Sequence, residues 1–332
     1  MYKHHNILFV ALVLLGVALF VADLLFGSIN ISFSDVYKTI TGTQTDNIIY
    51  EILLNYRLPK AITAVLAGAA LSVSGLMLQT LFRNPLADPF ILGVSSGASL
   101  GVAIVVLAAA SLPFAAVTGG WLLVVAGAAG AALVLALVVA VSFRVRDVVS
   151  LLVVGIMFGT ISAAFVAVLQ NLSNPDTLKV FISWTFGSLS SVTWQYMAVL
   201  FPIILVGIIV AFLLQKRLDG LLLGENYARS IGIPVQQTRL LLVLSTGLLA
   251  GGITAFTGPI AFVGIAVPHF ARGLFRTAAH RILLTASILC GAILLLICDI
   301  ITQIPTFTLP INTVSSLFGA PVVIWILMKK RG

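Results

Sequence analysis

The chain has 332 residues, 60% of them hydrophobic and only 8% charged, with a net charge of +8. A mean hydropathy of +1.18 excludes a soluble domain folded around one core, because most of such a chain must face lipid. Its basic residues form no basic face interleaved with aromatics, so the charge gives no reason to expect nucleic-acid binding.

Taken in chain order, apolar runs near 7–26, 61–82, 90–110, 119–143, 148–170, 194–214, 240–257, 259–276, 282–302 and 311–328 predict ten membrane crossings. Each ends at Pro, Gly or charge. The first follows MYKHH, but its apolar stretch is long for a secretory signal and no A-x-A site follows, so it reads as helix one. With the N-terminus cytoplasmic and the crossings alternating, 14 of the 18 Lys and Arg fall inside. Lys38, Arg57, Lys60 and Lys179 fall outside. That bias supports the count and a cytoplasmic C-terminus. The expected fold class is an all-α polytopic membrane protein, one transmembrane domain over 1–332.

After the second run comes QTLFRNPLADPFILGVSSGASLG, 79–101. Arg83 to Pro89 reads as a short inside turn in which Pro85 and Pro89 stop the helices. Gly93, Gly97 and Gly101 then give one face for close helix packing. The outside interval 172–193 carries Phe181, Trp184 and Phe186 and is too short to cross, so it predicts an interfacial or re-entrant helix. The inside segment 216–239, KRLDGLLLGENYARSIGIPVQQTR, reads as two short helices punctuated by Gly220, Gly224, Gly232 and Pro234. Leu222, Leu223, Tyr227, Ala228 and Ile231 can share one side, a stripe suited to docking on another protein. Segments 57–101 and 239–273 share a loose order of basic residue, small-residue helix and proline break, as inverted repeats would. Cys290 and Cys298, about 12 Å apart along one helix, cannot pair and read as packing residues.

Chemistry is sparse. The sequence has no H-E-x-x-H, no G-x-S-x-G, no Cys/His metal spacing and no phosphate-binding loop, so no catalytic, cofactor or metal residue is named. His269 and His280, near the inside end of the eighth span, read as hydrogen-bonding groups. Asp23, Asp35, Asp46, Glu51, Asp176 and Asp299 fall outside or at span ends; Asp88, Asp147, Asp219 and Glu225 fall inside. With no acid at mid-membrane, driving energy is expected from a partner through 216–239, and a carrier driven by an ion gradient alone is the alternative.

Five stretches lie in an order that resembles the FecCD family of permeases, the membrane subunits of type II ATP-binding-cassette importers for iron-siderophores, haem and cobalamin. They are RLPK at 57–60, FRNPLADP with LGVSSGA at 82–98, LGENYARSIG at 223–232, GPIAFVGIAVPHFAR at 258–272 and GAP at 319–321. The resemblance implies ten-helix subunits paired as a homodimer around a central pathway in the inner membrane. It also implies two ATPase subunits, which use ATP and Mg, and a periplasmic or lipoprotein binding protein. Gly224, Glu225, Ala228, Arg229 and Gly232 would sit on the ATPase. Asn84 and Leu86, with Val148, Val149 and Ser150, would form the cytoplasmic gate; valines stand where hydroxyl residues are usual. Arg57 and Lys60 would dock the binding protein, with Lys60 in place of the commoner Arg. Gln303 stands where the cobalamin permease has a basic residue, Thr308 for a common acid, and Asn312 for the usual Gly.

Overall fold

The computed structural model describes residues 2–27, 29, 31–41, 47–108, 120–144, 148–304 and 309–329; Asp46, Asp147 and Thr308 lie outside them. Helices α1 (Tyr2–Leu25), α2 (Phe33–Thr41), α3 (Asn47–Leu81) and α4 (Val94–Leu107) come first. Next are α5 (Gly120–Ser142), α6 (Val148–Leu172), α7 (Pro175–Thr185), α8 (Trp194–Leu213), α9 (Gln215–Leu222) and α10 (Glu225–Ser230). The chain closes with α11 (Val235–Thr257), α12 (Val263–Phe275), α13 (His280–Gln303) and α14 (Ile311–Lys329). No strand occurs among the described residues.

The ten expected crossings match ten of these helices in order, but not in equal measure. Seven are long and apolar enough to span a bilayer, whereas α4, α12 and α14 are shorter. At about 1.5 Å per residue, α12 reaches roughly 20 Å against a hydrocarbon thickness of about 30 Å. Its irregular lead-in must therefore be covered by protein or line a cavity. The second crossing begins at Asn47, well before the expected 61, through a π-helical turn at Ile52–Arg57. Pro59 explains the turn: it has no N–H for the carbonyl four residues back, and its ring crowds that carbonyl.

Burial separates interior helices from peripheral ones. In α3, 83% of the most apolar window is buried, against 17% in α1 and 22% in α6. The interior is α3 packed along α13, with α11 and α12 against it. Glycine sets these distances. A Cβ on Gly68 would collide with the carbonyl of Gly291, one on Gly291 with that of Gly68, and one on Gly75 with that of Gly264. Ser72 Oγ adds an interhelical bond to the Ser287 carbonyl at 2.7 Å. The small-residue face of α4 does similar work: a Cβ on Gly97 would lie 2.5 Å from the Gly130 carbonyl of α5, and Gly101 abuts Ala126. Gly93, at φ 75°, turns the chain into α4 beside Gly155 of α6.

The end of the bundle where α1 finishes and α3 starts departs from expectation. Arg57 is buried, and its guanidinium donates to the carbonyls of Leu24 at 2.7 Å, Leu25 at 2.9 Å and Ile29, closing the C-terminus of α1. Lys60 Nζ lies 3.0 Å from Asp299 Oδ1, and Gln303 Nε2 donates to Asp23 Oδ1 at 2.9 Å. Asp23 and Asp299 are at span ends as expected, yet buried rather than solvated. The α7 segment is a short helix as predicted, and Phe181 packs in the bundle with Val102, Ala103 and Leu107.

The glycine contacts make a direct prediction for thermal unfolding in detergent. Gly68→Ala should destabilise the protein by about 1–3 kcal/mol through overpacking. Gly273→Ala, where a Cβ meets nothing within 4 Å, should leave the melting temperature unchanged or slightly raised.

Candidate functional site

The opposite end carries Arg83, Arg217, Arg229, Arg276 and Arg281 and is called the basic end here. The chain leaves α3 through Phe82 and Arg83, the latter at φ 47°, and enters a turn that folds on its own side chains. Asn84 Oδ1 accepts from the Leu86 N–H at 3.0 Å, and the Asn84 N–H donates to the Gln79 carbonyl at 3.1 Å. Asp88 caps the 3-10 turn Pro89–Leu92 by accepting from the Phe90 N–H at 2.8 Å. Burial pushes the Asp88 carboxyl up to about 6, outweighing the bond from Phe90.

Helix α12 grips this turn. His269 Nε2 donates to the Pro85 carbonyl at 2.9 Å. Arg272 Nη1 donates to Gln79 Oε1 at 2.6 Å, and Gln79 Nε2 donates to the carbonyls of Gly264 at 3.2 Å and Ile265 at 3.3 Å. Leu86 is half-buried in the turn so held. Val148, Val149 and Ser150 open α6, with Val149 exposed. That helix meets the continuation of the turn at Gly155, where a Cβ would lie 2.8 Å from the Ile91 carbonyl. A cavity of about 470 Å³ lies between the start of α4, the middle of α6 and the lead-in to α12, lined by Asp88, Gly93, Ser96, Gly159, Thr160 and Phe262 among others. Asn312 Oδ1 accepts from the Ala261 N–H at 3.0 Å in that lead-in, so the side chain that replaces the usual Gly shapes the cavity wall.

The segment 216–239 folds as the two short helices expected, α9 and α10, before α11 begins. Gly224 at φ 109° and Gly232 at φ 83° need the freedom glycine has. Leu223, Tyr227, Ile231 and Arg229 are exposed, so part of the expected stripe faces outward. Two expected partner-facing residues do not. Ala228 is fully buried in the main core, and Glu225 is held by Arg239 at 2.8 Å, with Arg229 at 3.6 Å. Arg239 is buried, so Glu225 neutralises a cation that could not otherwise leave water cheaply. A Cβ on Gly224 would lie 3.5 Å from Arg83 Nη1, which sets the turn 82–88 directly beside this segment.

Arg57 and Lys60, expected as docking cations, are instead engaged inside the bundle, and Gln303 is bonded there too. Their spacing gave no sign of this, since the partners, the carbonyls of Leu24, Leu25 and Ile29 for Arg57 and Asp299 for Lys60, lie far away in the sequence. The residues that sequence reasoning left without a role are Gln79 and Arg272. Both lie in the stretches already singled out, but only the tertiary contact shows their task. Among the described residues no group of three or more His, Cys, Asp or Glu is placed to hold a metal ion.

Comparison with known proteins is consistent across methods. The FecCD transport family matches residues 13–329. The hemin transport system permease protein HmuU of Yersinia pestis is 34% identical, over 92% of this chain and 90% of its own length. The vitamin B12 import system permease protein BtuC of Salmonella typhi is 37% identical, over 82% of each. An uncharacterized ABC transporter permease protein, YvrB of Bacillus subtilis, is 36% identical over 84% of this chain and 79% of its own. A solved metal-chelate type ABC transporter in an inward-facing conformation aligns with a TM-score of 0.87 and 28% identity, covering 98% of this chain and 99% of that one.

Asp88 gives this site a measurable pH signature. Its folded value of about 6 lies above the ordinary 3.8, so the folded state holds the proton more tightly. That contribution is fully present below about pH 4 and is lost as pH rises through 6, a difference of up to about 3 kcal/mol. Asp88→Asn should therefore melt like the parent at about pH 3.5 and above it at about pH 7.5, measured by thermal unfolding across that range.

Proposed function

The chain belongs to the FecCD transport family, and on that premise we propose that it is the membrane subunit of an ATP-driven importer for an iron chelate, siderophore or haem, or for cobalamin. The hemin and vitamin B12 permeases among its relatives, and the metal-chelate transporter that shares its fold, support that substrate range. The chain itself is not an enzyme in this reading. It holds no cofactor, and ATP with Mg is used by two partner ATPase subunits.

The observation that carries the proposal is the exposed face of Leu223, Tyr227, Arg229 and Ile231, built on α9–α10 and lying beside Arg83 of the gate turn. An apolar stripe around one exposed guanidinium is the composition of a protein-docking surface. The ATPase would bind there, on the cytoplasmic side of the inner membrane, with both termini on that side. A second copy would complete the pathway, so that Asn84, Leu86 and the start of α6 close it at the basic end. A substrate-binding protein would deliver from the opposite end. Movement of docked ATPases then switches the pathway between two accessible states, with no covalent chemistry in this chain.

The test is uptake into proteoliposomes containing the permease, its ATPase subunits and its binding protein. Leu223→Asp combined with Arg229→Glu should cut ATP-dependent uptake at least tenfold, equivalent to about 1.4 kcal/mol of docking. Because both side chains are exposed, the melting temperature should stay within a degree or two of the parent, on the order of surface substitutions. Unchanged ATP-dependent uptake would count against the docking surface. Uptake by the permease alone on a proton or sodium gradient would replace the proposal with the gradient-driven carrier.

A further inference from the structure

Behind the docking surface runs a second, buried connection to the gate turn. Asp219, on α9, reaches to the start of α13, where its Oδ1 accepts from the backbone N–H of His280 at 2.9 Å and from its ring Nδ1 at 2.7 Å. The other ring nitrogen, Nε2, lies 2.8 Å from Oγ1 of Thr80, in the last turn of α3. The side chain of His280 is 1% exposed and that of Asp219 44%, so the connection starts at the surface of the segment and ends in the interior. Burial pushes the Asp219 carboxyl up, but the bonds from His280 outweigh it and hold the group below the usual carboxylate range.

Donor and acceptor bookkeeping shows why this link is stiff. An ionised Asp219 only accepts, so Nδ1 must donate. Thr80 Oγ1 is also 3.0 Å from the Leu76 carbonyl. With Nδ1 donating, a neutral ring accepts the Thr80 hydroxyl at Nε2, and only a ring protonated at both nitrogens donates to it while that hydroxyl turns to Leu76. The imidazole stays bonded at both ends in either arrangement, with a rigid ring between. Apolar contacts can slide by an ångström at little cost, whereas bonds at three atoms fix both distance and direction. The end of α3 is thus held on two sides. Gln79 is tied to α12 through Arg272, and Thr80 to the docking segment through His280.

Resting on the transport reading above, we propose that His280 is the positioning residue that carries motion of the docking segment to the gate. Displacement of α9 is passed through Asp219 and the imidazole to Thr80, and so to the turn 82–88 that α3 leads into.

The experiment uses the permease assembled with its ATPase subunits, carrying Leu86→Cys as reporter; the native Cys290 and Cys298 are buried. The rate of maleimide labelling is read with and without Mg-ATP. In the reporter background ATP should change the rate about tenfold, or about 1.4 kcal/mol. His280→Asn keeps an amide N–H near Nδ1 but falls short of Thr80, and Thr80→Val removes Oγ1. Either should abolish the ATP-dependent change while ATP hydrolysis continues with an unchanged KM, and the two together should be no worse than either alone. Thr80→Ser should restore the response. If His280→Asn does not fold, Thr80→Val, nearly isosteric, carries the test. A reporter that responds equally in Thr80→Val overturns the relay and leaves the transport reading standing. A reporter background with no response to ATP overturns both.

Discussion

The close approach of α3 to α13 at Gly68 and Gly291 fixes a register on which most of the polar structure depends. In lipid there is little hydrophobic force between helices, so association rests on van der Waals contact and on hydrogen bonds made possible by small residues. The two helices run antiparallel, and equal steps away from the glycine pair meet. Four residues along, Ser72 bonds the carbonyl of Ser287. Eight residues the other way, Lys60 meets Asp299. At the basic end Thr80 meets His280. A slip of one turn, about 5.4 Å, would break all three together. The glycines therefore supply alignment as well as proximity.

That alignment decides what the charged residues near the membrane can do. A buried ion without a partner costs several kcal/mol, and loss of one member of a pair leaves the other exposed to that cost. Lys60 with Asp299, Arg57 with the last carbonyls of α1, and Arg239 with Glu225 are each matched within the chain. The side chain of Arg229, in contrast, is 61% exposed and only loosely paired at 3.6 Å, and Arg83 is exposed at a turn. Arg229 and Arg83 are thus exposed cations of the basic end, beside the apolar stripe.

Hydropathy made the ten spans legible because the bilayer imposes a length on every apolar run. It could not show that α12 is short or that α3 begins at Asn47, since Glu51, Asn55 and Arg57 interrupt the apolar pattern that a π-turn carries through. The stripe of Leu223, Tyr227 and Ile231 was legible from its four-residue spacing. Within the same motif Ala228 is buried and Glu225 is bonded to Arg239, because a helix of six residues has a buried face as well, and a motif does not say which side its members take. The inward turn of Arg57 and Lys60 was invisible for a different reason. Their partners lie 33 residues back at Leu24 and 239 residues on at Asp299, and no local spacing encodes such contacts.

The cavity draws its shape and the packing of its helices from the same residues. Gly155 and Gly159 line it and also let α6 lie against the start of α4; Gly93 does both from the other side. Among the lining residues Asp88 is the one ionisable side chain, and its carboxyl is already committed to capping the turn that follows. The wall offers glycine, hydroxyl and apolar groups and little fixed charge. Cavity width and helix packing are set by the same atoms. A change that widens the cavity loosens the seat of α4, and with it the turn 82–88 that leads into that helix.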